Sequence, residues 1–180
     1  LQHLSFDEFS RFADLLASIS LHSYDLADQC LSDGIILFGQ MGGEKETTIS
    51  TARTIADRSW RDIRKFFEAC SNSLVNLEVN YRSRFLSLTR KLMHADAINP
   101  AEFMALGTST LMGLKPEYRV RLLEISDGLA GISPEVVPDL IRNVPTILER
   151  ISFSQFMEWH SEGLNILEEN PKSATNYYRL

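Results

Sequence analysis

Histidine and cysteine, the side chains that most often bind metals or act as nucleophiles, are few and scattered in this sequence. The chain has 180 residues, with four histidines and two cysteines among them. They lie at His3, His22, His94, His160, Cys30 and Cys70. None of them belongs to an HExxH, ExxH or CxxC motif, so the sequence predicts no zinc site.

Motifs for phosphate binding and for nucleophilic catalysis are also missing from the sequence. It contains no GxGxxG loop, no GxxxxGK[S/T] loop, no GxSxG turn and no DxSxS metal-binding pattern. We therefore predict a protein that is not an enzyme and that binds no cofactor. An enzyme with a polar site between helices stays open, because only a structure can reveal such a cleft. His160, between Glu158 and Glu162, is interpreted as part of a solvated helix face.

Two Tyr-Arg-x-Arg sequences, at positions 81–84 and 118–121, are separated by 37 residues. Equivalent positions in stacked units line up along one surface, so we expect a basic ridge that binds an acidic protein partner. The four arginines of this hypothesis are Arg82, Arg84, Arg119 and Arg121. An alternative is that they pair locally with Glu78, Glu117 and Glu124 and only solubilise the helices.

Charge is distributed unevenly along the chain. Residues 59–114 contain seven basic and five acidic side chains, net +2, whereas residues 1–58 contain four basic and nine acidic ones, net −5. The whole chain has a net charge of −6, and a broad nucleic-acid interface requires clustered Lys and Arg. A helical nucleic-acid-binding or repair module is therefore the alternative function, favoured by the basic middle and opposed by the overall acidity.

Apolar residues recur at a spacing of 37 through the middle of the chain, which is the mark of stacked structural units. The triplets are Ile49/Leu86/Leu123, Ile55/Leu92/Leu129, Phe66/Phe103/Leu140, Phe67/Met104/Ile141, Leu74/Leu111/Leu148 and Leu77/Leu114/Ile151. Apolar positions follow the helical period, and a Ser5–Glu8 capping box and Asn99-Pro100 mark helix starts. The sequence predicts an all-α fold, an α-solenoid of antiparallel, HEAT-like helix pairs.

One domain is expected over residues 1–180. Gln29 and Gln40 occupy apolar positions of the repeat, so the first part of the chain fits the period poorly. We divide the chain into N-terminal capping helices (1–43), three repeats (45–151) and C-terminal helices (152–180).

Two local features are expected within the repeats. Residues 60–77 should form one helix. Pro138 and Pro145 lie in the longer helix of the third unit, and an interior proline removes a hydrogen bond and clashes with the preceding turn. We therefore expect that helix to kink or split near Asn143.

Composition constrains the location of the protein. No run of 18 apolar residues occurs, so no membrane span and no membrane partner are expected. Two cysteines in a chain able to build a core favour a reducing compartment, and we expect a cytoplasmic protein. The chain begins with Leu1 rather than Met and ends without a polar tail, which suggests a part of a longer polypeptide.

The segment 156–180 combines a tryptophan, a glycine, an Asn-Pro turn and a Tyr-Tyr-Arg-Leu ending. It resembles the helical repeats upstream of the von Willebrand factor A domain in the CbbO/NorD/CoxE-like accessory proteins, and segment 145–151 is similar to the repeat linker of that family. The matching residues, to which the resemblance assigns packing roles, are Trp159, Gly163, Pro171 and Tyr177. The resemblance implies an adaptor for a MoxR-type AAA+ ATPase, with the metal-binding DxSxS in another domain.

The expected function is therefore a non-catalytic helical-repeat scaffold for protein–protein interaction. The resemblance implies that this scaffold is part of a larger von Willebrand factor A domain protein with an AAA+ ATPase as its partner.

Overall fold

Helices dominate the computed structural model, which describes residues 3–178, with side chains for 3–166, 169–170, 173 and 176–178. This described part of the chain contains ten α-helices and no β-strand, which confirms the all-α prediction for it. The helices are α1 (Phe6–Ser20), α2 (Tyr24–Gln40), α3 (Lys45–Ser59), α4 (Ile63–Asn72), α5 (Val79–His94), α6 (Pro100–Gly113), α7 (Pro116–Ile132), α8 (Val137–Arg150), α9 (Phe153–Glu169) and α10 (Pro171–Tyr178).

The helices contact one another in two series. In one series α1, α3, α5 and α7 contact in succession, and in the other α2, α4, α6 and α8 do so. Each helix of the first series also contacts the helix that follows it in the chain. At the C-terminal end, α9 packs against α8 and α10.

The core lies between the two series and is rich in phenylalanine. Phe12, Phe38 and Phe67 meet edge to face, with ring centroids 5.0–6.4 Å apart, and join side chains of α1, α2 and α4. Phe85 of α5 stacks on Phe103 of α6 at 5.3 Å. All five side chains are buried, and each contributes about 1.5–3 kcal/mol through removal from water.

The expectation of one helix over residues 60–77 is wrong. A 3₁₀ turn at Trp60–Asp62 precedes α4, and a second one at Leu74–Asn76 follows it. Ser73 leaves helical geometry at φ −129°, and the Asn76 side-chain amide donates to the Asn72 carbonyl at 2.9 Å. Short polar side chains compete for backbone groups in this way, which is why a run of Ser and Asn ends the helix.

Of the kink or split expected near Asn143, the split is wrong, because α8 is continuous from Val137 to Arg150, and the kink stays a prediction. Pro138 lies in its first turn, where a backbone N–H has no acceptor within the helix. Pro145 lies in its interior and leaves the Ile141 carbonyl without the usual N–H donor. The hydroxyl of Thr110 on α6 donates to that carbonyl at 3.3 Å, so a neighbouring helix supplies the missing hydrogen bond.

Candidate functional site

Arg82, at the start of α5, is largely buried and binds four groups of its own chain. Its Nε donates to the Leu77 carbonyl and its Nη2 to the Val75 carbonyl, both at 2.6 Å. Its Nη1 donates to the Gln40 carbonyl at 3.3 Å and forms an ion pair at 2.9 Å with Glu44, whose side chain is 0% exposed. Arg82 therefore ties the turn before α3 to the turn before α5.

Arg119, at the start of α7, makes the equivalent contacts one period later. Its Nε donates to the Leu114 carbonyl at 2.9 Å and its Nη2 to the Met112 carbonyl at 3.2 Å. These acceptors lie 37 positions after those that the first arginine binds. The guanidinium carbon also lies 5.7 Å from the ring centroid of Tyr81, which is 37 positions after the buried Glu44. We call these two sets of contacts the arginine clasps.

Arg84 and Arg121 are exposed and share one carboxylate. Nη1 of Arg84 lies 3.8 Å from Glu124, and Nη1 of Arg121 lies 2.8 Å from the same side chain. Both arginine side chains are more than half exposed. Exposed ion pairs of this kind contribute about 0–1 kcal/mol, so the two guanidinium groups remain able to bind another carboxylate.

The four arginines of the predicted ridge thus form two pairs with different surroundings. Arg82 and Arg119 bind backbone carbonyls and are 12% and 18% exposed, whereas Arg84 and Arg121 face solvent together. The local-pairing alternative describes part of this arrangement, because Glu124 joins the exposed pair and Glu78 lies 3.9 Å from Arg119. The hypothesis of a partner-binding ridge is reduced to Arg84 and Arg121.

Arg84 lines two grooves that run between α5 and α7. One has a volume of about 210 Å³ and is lined by Arg84, Ser87, Leu123, Glu124 and Asp127. The other, of about 510 Å³, is lined by Glu78, Asn80, Tyr81, Ser83, Arg84 and Val120. Both grooves combine polar, apolar and charged groups, as the surfaces of protein interfaces do.

The two cysteines are buried and carry protonated thiols. Burial is the main cause that raises the pKa of Cys30 to about 12, and the neighbouring Asp33 carboxylate raises it further. Burial also raises the pKa of Cys70. Both thiols are therefore weak nucleophiles at neutral pH. In the described part of the chain, no group of three or more His, Cys, Asp and Glu side chains is placed to hold a metal ion.

His160 is buried, so its interpretation as part of a solvated helix face is wrong. The Tyr178 hydroxyl of α10 lies 2.9 Å from His160 Nδ1 and donates to the His160 carbonyl at 3.1 Å. Burial lowers the pKa of the imidazole, which favours its neutral form. His160 lies between Glu158 and Glu162 in the sequence, and its burial depends on α10, whose position the local pattern does not predict.

Trp159 and Tyr177 pack together beside this pair, in a way that links α9 to α10. Their rings stack at 5.2 Å, and the Tyr177 hydroxyl donates to the Trp159 carbonyl at 2.9 Å. A Cβ added to Gly163 would lie 2.5 Å from the Tyr178 hydroxyl, so glycine allows the close approach of α10. The Pro171 side chain lies outside the described side chains, and Arg179 and Leu180 lie outside the described residues.

An apolar groove lies between α8 and α9 at the C-terminal end. It has a volume of about 490 Å³ and is lined by Asn143, Thr146, Ile147, Arg150, Ile151 and Trp159. A second groove, of about 350 Å³, includes Phe103 and Leu106 of α6 and Pro138 and Arg142 of α8.

No family model, no curated protein and no solved structure matches this chain. Among the described residues, no helix is both long and apolar enough to cross a membrane.

Proposed function

We propose that this chain is a non-catalytic α-solenoid of HEAT-like helix pairs that serves as a cytoplasmic scaffold for protein–protein interaction. The recurrence of the arginine clasps carries the proposal. Arg82 and Arg119 bind carbonyls that are themselves 37 positions apart, so a contact as well as a sequence pattern repeats. The serial contacts of alternate helices add support, and stacks of this kind present extended surfaces to partners.

The surface that we assign to the partner is the exposed pair Arg84 and Arg121, with the two grooves beside it. Two guanidinium groups share the single carboxylate of Glu124, so hydrogen-bond donors remain for an acidic side chain of the partner. The nucleic-acid alternative has less support. Arg82 is directed to backbone carbonyls. Three further cations of the basic middle, Arg64, Lys65 and Lys91, form ion pairs with acidic side chains of the same chain, which compete with phosphate groups.

The narrower form of the proposal names an AAA+ ATPase of the MoxR type as the partner. It rests on the resemblance of residues 156–180 to the helical region of von Willebrand factor A domain accessory proteins. In this form the scaffold is one part of a larger adaptor protein, and the α5–α7 surface binds acidic side chains of the ATPase.

The test is a binding titration of the protein with a purified MoxR-type ATPase, followed by sedimentation. We expect a complex whose affinity falls by about tenfold or more in the double variant Arg84→Glu, Arg121→Glu, because both charges that attract the partner are reversed. The double variant Arg64→Glu, Lys65→Glu is the matched control, since both residues are exposed cations on α4 of the other helix series. Absence of a complex would reject the ATPase as partner, and equal losses in both variants would reject the α5–α7 surface.

A further inference from the structure

The exposed arginine pair of α5 and α7 already holds one carboxylate of its own chain. Oε2 of Glu124 accepts a hydrogen bond from Nη1 of Arg121 at 2.8 Å. Oε1 of the same side chain lies 3.8 Å from Nη1 of Arg84, which is within ion-pair distance but too long for a hydrogen bond. Arg84 and Arg121 therefore bracket a place where a carboxylate fits, and the carboxylate now there is held closely by only one of them.

The repeat explains why two arginines share a single carboxylate. Arg84 and Arg121 are equivalent at the spacing of 37, so α5 and α7 carry the same side chain at equivalent positions. Three positions later the two helices differ, since α5 has Ser87 where α7 has Glu124. Only α7 therefore supplies an anion here, and the two guanidinium groups have more N–H donors than one carboxylate can accept.

The next carboxylate along α7 is bound to another cation. Nζ of Lys91 on α5 donates to the Asp127 carbonyl at 2.7 Å and to the Asp127 carboxylate at 3.1 Å. This pair joins α5 to α7 farther along the two helices and neutralises Asp127. Glu124 is therefore the acidic side chain that an incoming anion has to replace, and it is 43% exposed, so it can turn towards solvent.

The two grooves lined by Arg84 differ in character, and this difference sets the chemistry of the occupant. The groove of about 510 Å³ contains the apolar groups of Tyr81 and Val120. The groove of about 210 Å³ contains Ser87 beside two acidic side chains, which disfavour a second anion on that side. A segment whose acidic side chain reaches Arg84 can therefore place a large apolar neighbour in the larger groove.

We propose that Glu124 is an internal competitor at this site, and that a glutamate or aspartate of the partner replaces it between Arg84 and Arg121. The proposal rests on the proposed scaffold function and adds to it the chemistry of the partner segment and the contact that limits its affinity. The segment carries one acidic residue next to a large apolar residue, whose side chain lies against Tyr81 and Val120. Until such a segment binds, Glu124 partly neutralises the arginine pair.

The probe is a blocked tripeptide of leucine, glutamate and leucine, titrated into the full chain and followed by NMR of the arginine Nε–Hε groups. We expect saturable shifts of the Arg84 and Arg121 signals and little change at Arg82, whose Nε donates to the Leu77 carbonyl. The same peptide with glutamine in place of glutamate should not shift these signals, because it lacks the charge. Added salt should weaken the binding, since the charges are exposed.

Glu124→Gln should strengthen peptide binding by about twofold to fivefold, because the peptide no longer has to replace an exposed ion pair. Glu102→Gln is the matched control. It makes the same change of net charge at an exposed residue on α6 of the other helix series. The control should leave the affinity unchanged, and circular dichroism checks that both variants remain folded.

Three outcomes would overturn the proposal. They are absence of shifts at millimolar peptide, equal affinities of Glu124→Gln and the unchanged protein, and an equal gain in Glu102→Gln, which would show a general effect of net charge.

The titration with the ATPase separates this proposal from the proposed function. Suppose the ATPase complex is lost in the variant Arg84→Glu, Arg121→Glu, while Glu124→Gln binds the peptide no better than the unchanged protein. That result would keep the α5–α7 surface and reject the competitor. Conversely, the expected gain in peptide binding without any ATPase complex would reject the ATPase as partner and keep the competitor.

Discussion

Close contacts between a phenylalanine and a glycine join the two helices of a pair. A Cβ added to Gly34 would lie 2.4 Å from Cζ of Phe12, and one added to Gly107 would lie 2.2 Å from Cζ of Phe85. In each case the two residues are 22 positions apart. Gly34, in the interior of α2, therefore lies at a site of close packing between α1 and α2.

Gly107→Ala should lower the free energy of unfolding by about 1–3 kcal/mol, because the added methyl group would overlap the Phe85 ring in a filled core. Chemical denaturation measures this change. The loss should be smaller when Phe85→Leu is already present, since the smaller side chain leaves room for the methyl group. Gly128→Ala is the control.

Gly128 lies in α7, and a Cβ added there would have no neighbour within 4 Å. The same change at Gly128 should therefore stabilise the protein by about 0.5–1 kcal/mol, as replacement of an exposed helical glycine does. Equal effects at Gly107 and Gly128 would contradict the packing explanation.

Local sequence rules predict residues whose partners are close in the chain. The capping box of Ser5 and Glu8 is present with both of its hydrogen bonds, and Asn99 caps α6 as expected. The role of Arg82 was not predicted, because its partner Glu44 lies 38 positions away and its other acceptors are carbonyls. A common spacing of five residues between each clasping arginine and the Leu carbonyl it binds is the signal that could have identified it.

At the scale of elements, the arginine clasps hold the turns between successive helix pairs. The two clasps differ in one partner. Arg82 pairs with Glu44, which is 0% exposed, whereas the acidic neighbour of Arg119 is Glu78, which is 67% exposed. The first clasp therefore contains a buried ion pair and the second does not.

Arg82→Ala should destabilise the protein by about 3–5 kcal/mol, because it leaves the buried carboxylate of Glu44 without its counter-ion. Arg119→Ala should lower the free energy of unfolding by a smaller amount than Arg82→Ala, since water can solvate the exposed Glu78. Arg121→Ala, which removes an exposed side chain of the same type, should change stability by about 0.5 kcal/mol or less. Urea unfolding measures the free energy of unfolding of the three variants. An equal loss of stability in Arg121→Ala and Arg82→Ala would contradict the predicted order.

For the whole molecule, the sequence predicted an all-α fold, which the described residues confirm, and the bounds of the repeat units stay a prediction. At a fixed spacing of 37, Gln29 and Gln40 fall on apolar positions of the repeat. Residues 1–43 were therefore predicted to be capping helices outside the three repeats. At a spacing of 36 those positions become Cys30 and Met41, which are both buried. The first helix pair is followed by one residue fewer than the later pairs, so a fixed spacing of 37 compares positions that lie about 100° apart around the helix. The equivalence between the first pair and the later pairs is therefore missed at that spacing.

A stack in which each pair contacts mainly its neighbours should unfold in parts rather than uniformly. Stability in such chains is close to a sum of unit and interface contributions, and the end units open at lower free energy. Native-state hydrogen exchange should therefore be slowest in α3–α6, which have neighbours on both sides in their series, and faster in α1 and α2. Gly107→Ala should accelerate exchange in α5 and α6 and leave the rates of α1 nearly unchanged. Equal acceleration in all helices would show one cooperative unit and would contradict the proposed solenoid.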